Sequence, residues 1–468
     1  MFLRKIWPDL DEDYQIHQNT VLQVLQGKVT SATTLVDSII GIPEVAFTTN
    51  PRSRKSDAKR AKYALWAKSS INSALKELKE WSEVFDMSWI LITLQPGTAI
   101  DDQLEPVESS DDSSLSTLKE LRQAINSTVG GPADSQQPSL FLSPDMFDDS
   151  VTKIACSPIE LRRGADDHSY YFIDQPTETQ SLAEVCKLAK RLRNVESLQF
   201  GVLRCLGILK HSPASQTHIG TQLVFSLPAS SFTEPHSLRK MELAGMETYP
   251  LDERFILARQ LAKAVMFVHS AEFVHKNIRP ESILVVRNDA ADPVLLLVGF
   301  KHFRLEAGRT ILRGDEDWEA NIYRHPTRQG VQPAETYVMQ HDIYALGVCL
   351  LEIGIGSSFV LYDDKTIPAV SPILANLLDV SIKDRRRRAF ELKRGLIKLA
   401  KESLPTKMGR RYTEIVVMCL TCLDQTENSF GLETDLLDEN GLLVGVRFIE
   451  TVSTRHICKQ SASNSSRS

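Results

Sequence analysis

Apolar residues recur at helical spacing through the first ninety-odd residues of the chain. Between Tyr14 and Ile40, the positions Leu22, Leu25, Val29 and Leu35 predict one core-facing stripe, weakened by Gly27 and several β-branched residues. Between Asp57 and Ile92, Ile71, Leu75, Leu78 and Phe85 predict a second, with Trp81 and Trp89 beside it. Ser56 or Asp57 suits its N-cap, after the basic loop Arg52-Ser53-Arg54-Lys55. Gln95-Pro96-Gly97 breaks the pattern. Asp101 to Ser114 is acidic and Ser-rich, and Thr128 to Asp149 is rich in Gly, Pro, Ser, Gln and Asp, with a short helix expected at Leu115 to Ile125. From Val151 the period changes. Tyr170 to Ile173 reads as a strand, Ser181 to Asn194 as a helix, and Val202 to Leu209 with Gln222 to Leu227 as a hairpin-like pair. Helical segments follow at Leu251 to Ser270, Asp342 to Ile353 and Arg387 to Glu402. Strands first and helices afterwards predict an α+β arrangement with unequal lobes.

The expected organisation is therefore multidomain. An all-α bundle spans 1–94, a linker spans 95–150, and an α+β domain spans 151–455, its smaller part at 151–228 and its larger part at 229–455; a Ser-rich tail, 456–468, reads as disordered. At 468 residues and 42% hydrophobic content the chain can bury real cores. A net charge of −6 argues against a protein that coats nucleic acid. The longest apolar run, Val294 to Phe300, is far short of the roughly 20 residues that span a bilayer. No signal peptide is read at the N-terminus, and seven Cys do not read as a disulfide scaffold, so the expected location is cytoplasmic and reducing.

The chemistry concentrates in His275-Lys276-Asn277-Ile278-Arg279-Pro280-Glu281-Ser282-Ile283-Leu284. It has the frame of H-R-D-L-x-x-x-N, in which the Asp is a base and the Asn a metal ligand. Asn277 stands at the base position and Ser282 at the metal position. A carboxamide has no basic oxygen at neutral pH. Three further segments follow in order: Leu297-Val298-Gly299-Phe300-Lys301 in the place of D-F-G, Tyr323-Arg324-His325-Pro326, and Asp342-Ile343-Tyr344-Ala345-Leu346-Gly347 opening a helix.

In this order the four segments resemble a protein-kinase domain. More narrowly, they resemble the divergent kinase-like domains of filamentous fungi that follow an N-terminal helical domain of the HeLo, or prion-inhibition-and-propagation, type. The stretch Ala58 to Lys68 is similar to the Lys-rich, Trp-bearing part of such helical domains. Their first hydrophobic helix is shortened or missing here, which counts against membrane insertion. A plain helical bundle with no site of its own is the alternative for this region. The resemblance implies a bilobal kinase-like fold, shaped by His275 packing under Phe300 and by Asp342 holding the loop backbone, with Arg324 ordering the segment before the helix or meeting a phosphate on a partner.

The departures from the pattern are chemical. Asn277, Ser282 and Gly299 replace the base and both metal ligands. A Gly-rich loop, expected near Ser157 to Ser169, has only Gly164. Asp174-Gln175-Pro176 stand where the strand lysine should be, leaving its expected partner Glu184 with nothing to pair with. A rescued metal site would need displaced carboxylates; the nearby candidates are Asp289, Asp292 and Asp315, and none has the right spacing. The resemblance thus implies a catalytically inactive signalling or scaffold protein that controls its helical domain, in fungal self/non-self recognition or regulated cell death. It binds partner proteins and needs no cofactor. The alternative is a divergent Ser/Thr protein kinase that binds ATP with Mg²⁺. Cys419 and Cys422 form a lone C-x-x-C that reads as buried thiols rather than zinc ligands. Lys383 to Arg411 holds 12 Lys/Arg against 3 Asp/Glu. Its start, Arg385-Arg386-Arg387-Arg388, reads either as a solvated helix face or as a patch for anionic lipid or a phosphate-bearing partner, the second placing the protein at a membrane periphery.

Overall fold

The computed structural model describes residues 2–9, 12–40, 65–75, 78, 98–105, 119, 122–123, 140–165, 169–175, 181–193, 195, 200–211, 220–226, 234–288, 291–305, 316–362, 367–378 and 381–424. The chain divides into two compact units, 1–107 and 108–468.

The first unit is helical where it is described. It contains α1 (Phe2–Ile6), α2 (Glu12–Ile40), α3 (65–75) and α4 (Thr98–Leu104). Its buried apolar side chains are Ile6, Val21, Ala67, Ile100 and Leu104. This corrects two core assignments. Val29 is 49% exposed and Leu75 57%, while Val21, unassigned, is buried. Helical period marks a stripe, but the rotation of the helix decides which edge of it is covered. Trp81, Phe85, Trp89 and the proposed N-cap at Ser56 or Asp57 lie outside the described residues.

The second unit is mixed α/β. A curled antiparallel sheet contains β1 (Phe147–Lys153), β2 (Glu160–Gly164), β3 (Tyr170–Asp174), β4 (Arg204–His211) and β5 (Gly220–Ser226), in the order β1-β2-β3-β5-β4. Helix α5 (Leu182–Arg193) lies between β3 and β4 in sequence and buries Val185, Leu188 and Leu192. Mostly helical structure follows. Short β6 (His236–Ser237) leads into α6 (Leu238–Leu243) and α7 (Leu251–Ser270). Then come β7 (Phe273–Val274), the hairpin β8 (Ile283–Arg287) and β9 (Pro293–Leu297), and β10 (Arg304–Leu305), which pairs with β7. The chain continues through α8 (Trp318–Asn321), α9 (Met339–Ile355), β11 (Val360–Tyr362), β12 (Pro368–Val370), α10 (Pro372–Ala375), α11 (Arg385–Lys407) and α12 (Arg410–Thr421). Helix α9 is buried along its whole length; the apolar run from Ile343 to Leu351 fills the core, and the polar residues Gln340, His341, Asp342 and Glu352 are buried with it.

The expected linker boundaries shift at both ends. Helix α4 lies inside 95–150 yet belongs to the first unit, and residues 140–150 already form part of the sheet. The tail lies outside the described residues. Among the described residues, no helix is long and apolar enough to cross a membrane, and no cluster of three His, Cys, Asp or Glu could hold a metal.

Sheet and helices meet across a shared core. Phe200 packs on Phe267 with ring centres 4.4 Å apart and the rings tilted by 37°, Phe225 stacks on Phe300 at 6.2 Å, and the Leu297 N–H donates to the Gly201 carbonyl at 2.7 Å. The loop from His275 to Leu284 sits against this junction.

Candidate functional site

Asp342, in the first turn of α9, organises the loop. Its buried carboxylate accepts the His275 N–H at 2.7 Å, the Lys276 N–H at 2.9 Å and the Tyr337 hydroxyl at 2.6 Å, and lies 3.2 Å from His269 Nε2. Lys276 adopts φ +64°, so the two successive N–H groups turn towards one acceptor. Burial alone would raise the Asp342 pKa, but the His269 contact and the other donors outweigh it and hold the pKa below the usual value. The buried His275 ring lies 4.8 Å from Phe300, and burial pushes its pKa down to about 4. The Val298 backbone favours the charged form, yet neither ring nitrogen reaches hydrogen-bonding geometry.

Asn277 and Ser282 do not point to an open cleft. Asn277 Nδ2 donates to the Gly299 carbonyl at 3.0 Å. Ser282 Oγ lies 2.5 Å from the Asn277 carbonyl and 2.9 Å from that of Arg279, and accepts the Arg279 N–H at 3.2 Å. Gly299 has φ +81°, and a Cβ built there would lie 2.8 Å from Ser282 Cβ and 3.2 Å from Asn277 Nδ2. The volume a metal-binding carboxylate would need at position 299 is thus filled by its two neighbours.

A carboxylate does reach this place from the other side. Asp174, at the end of β3, is buried and accepts the Phe300 N–H at 2.6 Å, and the Gly299 backbone contributes a second, weaker contact. Burial dominates and raises its pKa to about 6. It carries the charge opposite to that of the lysine expected there, so phosphate oxygens would meet repulsion rather than a cation.

Other expectations are relocated. The turn between β1 and β2 is 154–159, earlier than the expected 157–169, and it contains no glycine. Ser237 Oγ donates to the Ala155 carbonyl at 2.6 Å, tying this turn to the start of α6, and Ile154 and Ile159 are buried. Glu184 has a role after all. It accepts the Ser181 N–H at 3.1 Å and the Ser181 hydroxyl at 3.0 Å, and Ser181 Oγ accepts the Glu184 N–H, a capping box for α5. Asp292 lies in the β8–β9 turn, at the far end of the hairpin from Gly299, and Asp289 and Asp315 lie outside the described residues. Arg324 donates to Asn321 Oδ1 at 3.2 Å.

Two buried clusters escaped the sequence. Arg239 contacts Glu281 at 3.0 Å, Glu242 at 3.1 Å and Glu352 at 2.9 Å, with the Ser358 and Tyr323 hydroxyls closing its shell. Three acids face one guanidinium. Burial, then Glu352, push the Glu242 pKa well above the ordinary carboxylate range, against the pull of Arg239. Around Tyr337, Arg304 Nη2 donates to its carbonyl at 2.7 Å, while Lys276 and Arg328 each lie 5.5 Å from its ring. Burial, then Arg304 and Arg328, push the Lys276 pKa down to about 8. Cys419 and Cys422 are buried thiols with raised pKa values.

Magnesium with ATP does not fit these residues. The positions at which the resemblance leads one to expect metal ligands are a glycine closed in by its neighbours and a serine bonded within its own loop, and the acid that approaches is spent on backbone N–H groups. Neither a family model nor a curated protein matches the chain.

Proposed function

We propose that residues 140–424 form a kinase-like, bilobal domain that has lost phosphoryl transfer and serves as a signalling scaffold controlling the N-terminal helical unit in the cytoplasm. The order of sheet, capped helix, loop, hairpin and buried α9 supports the fold reading. One observation carries the loss of chemistry: Gly299 is enclosed by Ser282 and Asn277 while Asp174 holds its backbone. Phosphoryl transfer depends on positioned positive charge, so a glycine, two amide or hydroxyl groups and a buried acid cannot supply it. No observation favours the active-kinase alternative. The full chain is expected to show no change in melting temperature with ATP and Mg²⁺, and no transfer of radiolabelled phosphate to itself or to a generic substrate. A Mg²⁺-dependent stabilisation together with transfer would overturn the reading.

The basic run opens α11. Asp384 caps the helix, Arg385 pairs with Glu316 and Arg388 bonds the Ile382 carbonyl, and Arg385, Arg386 and Arg387 are all exposed. A peripheral contact with anionic lipid at Arg385–Arg388 is retained as a proposal. Sedimentation with phosphatidylserine vesicles at low salt tests it, and no co-sedimentation would end it.

A further inference from the structure

Residues 140–147 cross the outer side of the sheet before the chain enters β1. Leu142 N–H donates to the Ile208 carbonyl at 2.9 Å, and the Ile208 N–H donates to the Leu140 carbonyl at 2.8 Å. The two bonds make a parallel bridge between Phe141 and Ile208 on β4, an edge strand of the sheet. Leu142 and Phe147 pack on Ile173, Leu209 and Val224, which form a hydrophobic cluster of their own. Phe141 lies outside, with Lys210 Nζ 4.1 Å from its ring centre. Ser143 caps the short turn at Pro144–Met146 that returns the chain to β1.

Gly207 is shaped for this crossing. A Cβ there would lie 2.5 Å from the Leu140 carbonyl oxygen and 2.9 Å from Leu142 Cγ. The register of β4 against β5 slips between Cys205 and Gly207, which brings the edge outward at the same place. Ile208 uses both its outward backbone groups on the strap. Strand alternation turns the backbone groups of Lys210 to the same side. The edge therefore offers more strand-pairing positions than the single bridge made by residues 140–142.

We propose that the β4 edge, with the Ile173–Leu209–Val224 surface beside it, is a docking groove for an extended protein segment of aliphatic–aromatic–aliphatic pattern, occupied in cis by residues 140–147. Strand addition to a sheet edge draws affinity from backbone bonds and specificity from alternate side chains. Leu140-Phe141-Leu142 is the occupant that displays this code. Its hold is short, two backbone bonds and one inward leucine, and it is where the chain arrives from the Gly-, Pro- and Ser-rich segment before it. A rearrangement upstream would therefore act on this contact first. The inference does not depend on the kinase-like reading, since it uses only the sheet edge and its strap.

The test uses the full chain and a fluorescent peptide of residues 139–146. Leu142→Asp releases the strap and leaves the groove intact. Peptide anisotropy should show binding at least roughly tenfold tighter to this variant than to the parent, since the cis strap no longer competes. Adding Gly207→Val should remove that binding, because its side chain occupies the crossing. Hydrogen exchange should rise at 140–146 and in β4 while β3 stays protected. Equal peptide binding by parent and Leu142→Asp, or binding indifferent to Gly207→Val, would overturn the proposal. If Leu142→Asp does not fold, Leu142→Ala replaces it, and peptide binding no tighter than the parent's counts against the proposal. A concentration-dependent dimer of the parent that Leu142→Asp abolishes would also overturn it, by assigning the groove to strap exchange between copies.

Discussion

Asp342 and Asp174 are both buried carboxylates that hold backbone N–H groups of the same loop junction, yet their pKa values move in opposite directions. Asp342 receives two backbone donors, a tyrosine hydroxyl and a histidine. Asp174 receives backbone donors alone, and the nearest cationic influence is Lys301. Equal burial exacts the same desolvation from both. The number and charge of the donors decide which acid stays ionised. The first shapes the loop from α9, and the second closes the place where a phosphate-handling lysine was expected.

The largest effect should come from breaking the better satisfied acid. Asp342→Ala strands the buried His275 N–H, the part-buried Lys276 N–H and a buried hydroxyl, each costing about 1–3 kcal/mol without a partner where water does not reach it. Urea unfolding should show a loss of roughly 4 kcal/mol near pH 7. A loss under about 1 kcal/mol would mean the network is incidental. Because the folded pKa lies below the ordinary aspartate value of 3.8, the carboxylate's stabilisation is present above that pH and fades as pH falls through the folded value. The gap between parent and variant should therefore narrow in acid.

Gly299→Asp probes the place between the two acids. The new Cβ enters at 2.8 Å from Ser282 Cβ, on a backbone with φ +81°. Strain of about 1–3 kcal/mol is expected, seen as a lower melting temperature. The triple change Asn277→Asp, Ser282→Asn, Gly299→Asp should still bind no Mg²⁺ by calorimetry, because the volume is lacking as well as the ligands. Magnesium binding by a stable triple variant would show that only the residue types were missing.

Much of this frame was legible beforehand. The loop from His275 to Leu284, the helix carrying Asp342 and the strand ending near Asp174 stand close to where period and motif put them. The acid itself was not legible as a ligand, because its partner Phe300 is 126 residues away. Strand β1 was missed because Phe147-Asp148-Asp149-Ser150-Val151-Thr152-Lys153 has little apolar alternation, as befits a half-exposed edge. That omission displaced the expected glycine loop and hid the strap at 140–147. The Arg239 cluster was hidden for a similar reason: Glu242, Glu281 and Glu352 come from separate elements and meet only in the fold.

Asp174→Asn separates charge from hydrogen bonding. The folded pKa of about 6 lies above the ordinary aspartate value of 3.8, so the native state binds the extra proton between them. Stability from this group is full below the unfolded value and lost as pH rises through 6. The parent should lose about 2 kcal/mol between pH 4 and pH 6 from this source, and about 3 kcal/mol in all once the pH is well above 6. The asparagine, which can still accept the Phe300 N–H, should flatten that part of the profile. An unchanged slope in melting temperature against pH would show that Asp174 ionises at no cost.

The smallest effect completes the series with an exposed acid. Glu184 accepts from Ser181 in solvent, where neither strong desolvation nor a buried partner is at stake. Glu184→Ala should cost about 0.5–1 kcal/mol through the lost capping box, with the loss confined to hydrogen exchange at the start of α5. If Glu184 were instead one half of a charge pair in the cleft, its removal would loosen β3 and the Gly299–Phe300 segment as well. Protection of Phe300 that is unchanged in Glu184→Ala but lost in Asp174→Ala would place the bond between sheet and loop on Asp174 alone. The helix that follows β3 would then be capped independently of the site, which is what the proposed loss of chemistry with retention of shape requires.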